Sequence, residues 1–456
     1  MGARTEPIGP NELDEFFAPL VAAGECVALA VSGGSDSTAL MVLFADWLCR
    51  SSADPTLHTV LTVDHRLRPE SGAEAAAVAR HAALLGFRHA ILVWEGPKPE
   101  TGLQAAARAA RHQLCANYAS RRGIGKLLTA HTADDQAETL LMRLARGSGL
   151  DGLAAMAPLT CMAVPGNAGQ PGLMIARPLL EVSKARLRAT LAQRGIAWIE
   201  DPSNQSPAFE RTRLRAARAQ LEALGLTADM LGLSARRLRR ARAALERWVA
   251  DFCNPDAALF HADPCGFIRV DGPALRGLPM EVAVRVLLRA VVLAGGSDAP
   301  VPLAKLEAIA DAISAAPASG TWTLARAKIC ASPASILVER EPGRVPLPTL
   351  TLEPGTQAVW DGRFRVAAGS RLAASVVVRA LGVDGVREMR QAVTIPPSVP
   401  IGALRLLPGF WRGSSVIAVP SLGFWIEDSL REEVSAVFAV PGNYNPASAQ
   451  DDPGTP

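Results

Sequence analysis

Paired thiols are missing from this chain of 456 residues. Its seven cysteines (Cys26, Cys49, Cys115, Cys161, Cys253, Cys265 and Cys330) are odd in number, widely spaced and form no CxxC. That excludes a disulfide framework or a clustered zinc or iron–sulfur site as an organising feature, and reads as buried or free thiols. Apolar runs of the length that crosses a bilayer, about 18 residues or more, are also missing, so no transmembrane helix is expected. The opening MGARTEPIGP has no apolar h-region, so no secretory signal is expected and a cytoplasmic location is. Charge of one sign is lacking too. Lys plus Arg number 47 against 44 Asp plus Glu, a net of +3, so a polyanionic partner has to be argued from local clusters.

What is present is a globular composition, 49% hydrophobic and 20% charged, long enough for about three domains. The first 200 or so residues alternate strand and helix. Apolar runs at Cys26–Val31, Thr56–Asp64, His89–Trp94 and Lys126–Ala130 are separated by helical patterns at Asp36–Arg50, Ser71–Gly86 and Leu103–Arg122. A further helix follows at Ala133–Arg146. This spacing predicts βαβ units and a parallel sheet with helices on both faces, which binds ligands at the carboxyl ends of its strands. Residues 211–247 are helical in pattern and hold ten Arg against three acids. Residues 273–316 also read as helices. Beyond Arg340 the chain turns strand-like, with a hairpin pattern at Gln357–Val366. The division expected is 1–215 for the α/β domain, 216–340 for a helical domain, 341–440 for a small C-terminal α+β domain and 441–456 for a disordered tail.

Val27–Leu40 reads VALAVSGGSDSTAL, a buried strand running into Ser32-Gly33-Gly34-Ser35-Asp36-Ser37 and then a helix. Two glycines let the backbone turn sharply and approach a ligand, and successive N–H groups at a helix start form an anion site. Asp36 repels a phosphate unless a divalent cation lies between them. The loop has neither the Gly-Lys-Ser/Thr of a Walker A motif nor the spacing of a dinucleotide fingerprint. The string SGGSDS resembles the signature of the N-type ATP pyrophosphatases, the PP-loop enzymes, whose fold is adenine nucleotide α hydrolase-like.

A second motif, His131–Thr139 (HTADDQAET), follows the fourth strand. Asp134 and Asp135 lie at a helix start, where carboxylates suit the macrodipole. Asp135 and Glu138 share one helix face, which suits a magnesium ion or a substrate ammonium group. The longer block HTADDQAETLLMRLARGSGLDGLAAM resembles the HxxDDQ-ET…RGSG-xx-GL-xx-M block of the tRNA(Ile)-lysidine synthetases. Arg177–Leu180 (RPLL), Trp198–Asn204 (WIEDPSN) and Val63–Arg68 (VDHRLR) resemble further segments of that family, all within residues 27–215. WDGRF at 360–364 is similar to the C-terminal part of its longer members.

The resemblance implies a ligase. ATP adenylates O2 of the wobble cytidine of a tRNA(Ile) with a CAU anticodon, and the ε-amine of L-lysine then displaces AMP to form lysidine, which changes codon reading from AUG to AUA. It implies that Ser32, Gly33, Gly34, Ser35, Asp36 and Ser37 hold ATP and its pyrophosphate, and that Asp36 and Asp135 act in catalysis with Mg²⁺. Glu138 and Arg211 would receive lysine, and Arg143, Arg146 and Arg177 would contact tRNA. Thr212 stands where the family often has Asn. No membrane partner is implied, and monomer and homodimer both stay open. Three other readings remain at this point: a PP-loop thiolase, an RNA-binding module with decayed chemistry, and an amidotransferase-coupled ligase.

Outside these motifs, the arginine run 236–242 (RRLRRAR) suits nucleic-acid phosphates. The residues Trp248, Trp360, Trp411 and Trp425 read as core.

Overall fold

The apolar run at 26–31 forms β1 (Ala28–Ala30), flanked in parallel by β2 (Thr59–Asp64) and β4 (Lys126–Leu128). β3 (Arg88–Val93) and β6 (Leu173–Ala176) extend the sheet in parallel, and β5 (Leu159–Met162) closes one edge antiparallel. The order is β3-β2-β1-β4-β6-β5. The structure is a computed structural model. It describes residues 5–438 except 100, 163–171, 201–209, 298, 316–318 and 344–345. Asp201–Asn204 of the WIEDPSN segment and the tail expected at 441–456 lie outside the described residues.

Side-chain alternation along β1 explains the layering. Leu29 joins one core with Phe17 of α1 (Leu13–Phe17), Leu40 and Phe44 of α2 (Ser35–Arg50), Val78 of α3 (Ser71–Leu84) and Leu187 of α7 (Lys184–Gln193). Ala28 points the other way, onto Cys115, Ala116 and Ala119 of α4 (Leu103–Arg122). Four further helices matter below: α5 (Ala133–Ala145), α6 (Leu150–Leu153), α8 (Glu210–Ala216) and α9 (Arg218–Ala223). After β1 the chain builds β2 and β3 on one side, then crosses to place β4 on the other. The carboxyl ends of β1 and β4 therefore flank the point where strand order reverses, the usual ligand crevice of such sheets.

The chain divides into two units between Arg242 and Ala243, within the long helix α10 (Ala228–Phe252). The boundary expected at 215 falls inside the first unit. The second unit holds an antiparallel sheet of β7 (Phe260–Asp263), β8 (Phe267–Asp271), β11 (Ser335–Arg340), β10 (Ala327–Ala331) and β9 (Gly320–Leu324). Three helices accompany it: α11 (Gly272–Arg276), α12 (Met280–Gly295) and α13 (Leu303–Ala315). The stretch expected to be helical thus also contains a sheet. Its strands are short, and their alternation is weak beside the long apolar pattern of α12. Two more antiparallel sheets follow. One runs β12 (Leu350–Leu352), β15 (Val376–Ala380), β16 (Pro408–Arg412), β17 (Ser415–Val419), β18 (Phe424–Trp425). The other is β13 (Gln357–Trp360), β14 (Phe364–Ala368), β19 (Val434–Phe438). Trp360 and Trp411 are buried as expected, whereas Trp248 is exposed.

The WDGRF turn is an ionic knot. The fully buried Asp361 carboxylate accepts from Arg340 Nε at 3.0 Å and Arg363 Nε at 2.8 Å, and also from Arg326. Asp361 and Gly362 both take positive φ, and a Cβ on Gly362 would lie 2.2 Å from the Gly296 carbonyl oxygen. Asp361→Asn leaves two buried guanidiniums without their carboxylate. It is expected to destabilise this unit by about 3–5 kcal/mol, read as a lower midpoint for its thermal unfolding, and an unchanged midpoint contradicts the assignment.

Candidate active site

β1 delivers the loop 32–34 to the crevice, and α2 begins at Ser35 with Gly34 as its cap. A glycine cap has no side chain to cover the first-turn N–H groups, which suits an anion. Gly33 has φ +89°, and a Cβ there would lie 2.6 Å from Ile199 Cδ1. Ile199 N donates to Gly33 O at 2.9 Å, so residue 199 straps the loop from outside. Ser37 braces the loop from within. Its Oγ donates to Gly34 O at 3.1 Å and accepts from Ser32 N at 3.2 Å. These features fit a phosphate cradle whose bend only glycine adopts without strain.

The second motif begins α5 with a reciprocal cap. Thr132 Oγ1 accepts from Asp135 N at 3.3 Å, and Asp135 Oδ2 accepts from Thr132 N at 2.9 Å and Thr132 Oγ1 at 2.8 Å. That fixes the Asp135 rotamer and leaves Oδ1 facing the crevice. Lys184 Nζ lies 3.0 Å from Asp135 Oδ1 and 3.6 Å from Asp36 Oδ2. The phosphate loop and the acidic helix therefore share one crevice, joined by one ammonium. The Asp134 carboxylate accepts from Lys184 N at 2.8 Å and Arg218 Nη1 at 2.6 Å. Both oxygens of Glu138 are held by one edge of a guanidinium, Arg215 Nε at 2.6 Å and Nη2 at 3.1 Å.

Ionisation follows this arrangement. Burial raises the Asp36 carboxyl; Lys184 pulls it down and nearby Asp135 pushes it up, and burial decides the net rise. Burial also pushes Asp135 upward, but Lys184, His131 and the bonds from Lys184 and Thr132 outweigh it and hold the carboxyl well below its usual range. The Lys184 ammonium is depressed by burial and raised more strongly by Asp135, Asp36 and Glu138, for a net rise. Burial lowers His131, whose Nδ1 meets Thr129 Oγ1 at 2.9 Å.

Two carboxylates meeting at a cation position suit Mg²⁺, which takes one or two carboxylates and completes its shell with phosphates and water. Among the described residues no group of three or more His, Cys, Asp or Glu could hold a metal, so the other positions would fall to the nucleotide. Asp36 and Asp135 fit that ion, with Lys184 as the internal cation now between them.

Several residues lie where the sequence did not lead. Arg143 and Arg177, expected to face tRNA, are buried. Arg143 Nη1 donates to Gly152 O at 3.0 Å and Ala155 O at 3.2 Å, and Arg177 Nη1 donates to Ala157 O and Thr160 Oγ1, both at 2.7 Å. In this structure their guanidiniums brace the segment from α6 to β5. Arg146 is exposed and pairs with Glu210 at 2.6 Å. Arg211 is half-buried on α8, one turn before Arg215. Lys184, Arg215 and Arg218 were not read from the sequence at all. Lys184 carried a usable signal, because it follows the cap Ser183 and a cation there opposes the helix dipole.

The arginine run on α10 divides by face. Arg236 pairs with Glu181 at 2.7 Å, Arg239 Nη1 donates to Met156 O at 3.0 Å, and Arg242 meets Asp151 at 3.4 Å. Arg237 and Arg240 are exposed, with no ion pair among the described residues.

Lys184→Met tests the joint. The depressed Asp135 carboxyl contributes stability above the ordinary value of 3.8, and that contribution is lost as pH falls through its folded value. The raised Lys184 contributes below its ordinary 10.5, and its contribution is lost as pH rises through its folded value. Without the lysine, two ionised carboxylates face each other. The variant's loss of thermal stability is expected to be large at neutral pH and to shrink at acid pH, where the carboxylates protonate. An equal loss at both pH values contradicts the joint.

A family model described as a PP-loop domain matches residues 7–221. A tRNA(Ile)-lysidine synthase of a Bradyrhizobium species is 46% identical over 309 residues, 66% of this chain and 83% of the relative. That of Rhodopseudomonas palustris is 46% identical over 330 residues, 72% of this chain and 91% of the relative. That of Ruegeria pomeroyi is 39% identical over 400 residues, 87% of this chain and 88% of the relative. The matches extend well past the crevice into the second unit, and with that coverage this chain belongs to the tRNA(Ile)-lysidine synthase family.

Proposed function

We propose that this chain ligates L-lysine to C2 of the wobble cytidine of tRNA(Ile) with a CAU anticodon, using ATP and releasing AMP and pyrophosphate. The observation that carries the reading is the shared contact of Asp36 and Asp135 with Lys184, which joins the phosphate loop to the acidic helix. It is an ATP-dependent ligase of tRNA modification.

In the first step, cytidine O2 attacks the α-phosphate and pyrophosphate leaves. The leaving group is a polyanion, so the protein's task is positioning and charge neutralisation. Ser32–Ser35 and the open N–H groups of α2 receive the departing phosphates, and Ser37 keeps the loop in shape. Mg²⁺ bound by Asp36 and Asp135 would neutralise phosphate charge. In the second step, the lysine ε-nitrogen attacks C2, AMP leaves, and the nitrogen gives up a proton. Free lysine is protonated, with a pKa of about 10.4, so the site has to remove a proton before attack. Glu138 receives the incoming ammonium by exchanging its present partner, Arg215.

Sulfur delivery at Cys115, which is buried under the sheet, is disfavoured. Burial pushes the Cys115 thiol up to about 11, which suppresses the thiolate that such chemistry uses. Arg237 and Arg240 on the open face of α10 are the arginines of that run suited to tRNA phosphates. The protein works in the cytoplasm, as a monomer or homodimer.

Purified protein with ATP, Mg²⁺ and labelled lysine is expected to label a CAU-anticodon tRNA(Ile) transcript and not the methionine tRNA with the same anticodon. Asp135→Asn is expected to lower turnover by about a hundredfold or more. Equal labelling of both tRNAs, or a variant as fast as wild type, contradicts the assignment. Arg240→Ala is expected to make the fall of tRNA affinity with salt shallower by about one unit of log–log slope, and Arg242→Ala to leave it unchanged. Equal slopes for the two variants contradict the division of α10 by face.

A further inference from the structure

The loop between α6 and β5 connects two helices that the proposed chemistry treats separately. Residues 152–156 are bonded from three side chains. Arg143 of α5 engages the carbonyls of Gly152 and Ala155. The Gln136 side chain pairs with both backbone groups of Met156, Nε2 to the carbonyl at 2.9 Å and Oε1 from the N–H at 2.8 Å. Arg239 of α10 reaches the same Met156 carbonyl at 3.0 Å and that of Ala154 at 3.4 Å. Between those two carbonyls lies Ala155, with φ +53°. A non-glycine residue in that conformation persists only where its surroundings over-determine it. An independent contact points the same way. Leu231, Ala235 and Leu238 of α10 form a small apolar core with Ala137, Leu140 and Leu141 of α5 and with Ala155.

Gln136 stands between two of the three carboxylates of α5, directly after Asp135 and two residues before Glu138. We propose that Arg239 is a positioning residue for the reaction: through the Met156 backbone and Gln136 it sets the axial rotation of α5, and with it the aim of Asp135 and Glu138. Arg239 then differs in kind from Arg240, its neighbour on the open face, and from Arg242, which also points inward but pairs with Asp151. The inference rests on the reading of Asp135 and Glu138 as reaction-site carboxylates.

Steady-state lysidine formation by the full chain tests it, using Arg239→Ala, Arg239→Lys, Arg242→Ala, Gln136→Met and the double variant Arg239→Ala with Gln136→Met. Arg239→Ala is expected to lower kcat about tenfold by misplacing the carboxylates, with KM for tRNA and its salt dependence unchanged. Arg239→Lys is expected to recover part of that loss, since an ammonium can still donate to the carbonyls. Arg242→Ala is expected to keep kcat near wild type. The double variant is expected to be no slower than the slower of its two parents, because both act through Met156.

Three results overturn the proposal: an unchanged kcat in Arg239→Ala, losses that multiply in the double variant, or a loss carried by tRNA KM with a shallower salt slope. If Arg239→Ala is unfolded at the assay temperature, Arg239→Gln replaces it in the same comparison. Absence of lysidine formation by the wild type would instead count against the functional reading.

Discussion

Lys184 Nζ lies 3.0 Å from a carboxylate oxygen of the acidic helix and 3.6 Å from one of the phosphate loop. Remove that cation and two carboxylates from different strand ends are left facing each other at low solvent exposure, where like charges repel strongly. The joint depends on the parallel sheet, since only the order β2-β1-β4 brings the tip of β1 and the tip of β4 to the same crevice. It also depends on α7, whose first residue supplies the ammonium and whose backbone N–H is held by Asp134. The sheet, the two motifs and α7 are thus parts of one arrangement. The carboxylates of this arrangement are satisfied internally by Lys184, Arg215 and Arg218.

Much of the first unit is legible from residue order alone. The bounds of β1, β2, β3 and β4 and of the helices between them lie close to those expected, because each strand is a short apolar run and each helix a longer amphipathic one. The loop at 32–37 is legible because a strand, two glycines and an uncapped helix start are local features. Gly33 takes the positive φ that such a bend requires. The sheet β7-β8-β11-β10-β9 of the second unit is harder to read. Its strands are four to six residues long, and their apolar positions are interleaved with Arg, Lys and Glu side chains.

Charged residues are where pattern alone misleads. Arg143 and Arg177 look like RNA contacts because the chain around them resembles a tRNA-modifying family, yet both are buried against backbone carbonyls. Arg239 and Arg242 look equivalent to Arg236, Arg237 and Arg240 in a run of like charge, and helical geometry turns them inward while the other three stay exposed. Arg215 and Arg218 become partners of Glu138 and Asp134 only when α8 and α9 return to α5. That pairing spans more than 70 residues of sequence. No local periodicity encodes such contacts, because they are set by where the sheet delivers each helix.

The most direct measurement is a rapid-quench assay of pyrophosphate release by the full protein with ATP and CAU-anticodon tRNA(Ile), with lysine left out. If the phosphate loop and the acidic helix form one centre that activates the cytidine before the amine arrives, tRNA alone produces a single-turnover burst, and lysine is needed only for continued turnover. No pyrophosphate until lysine is added, or a release rate indifferent to tRNA, would contradict the account.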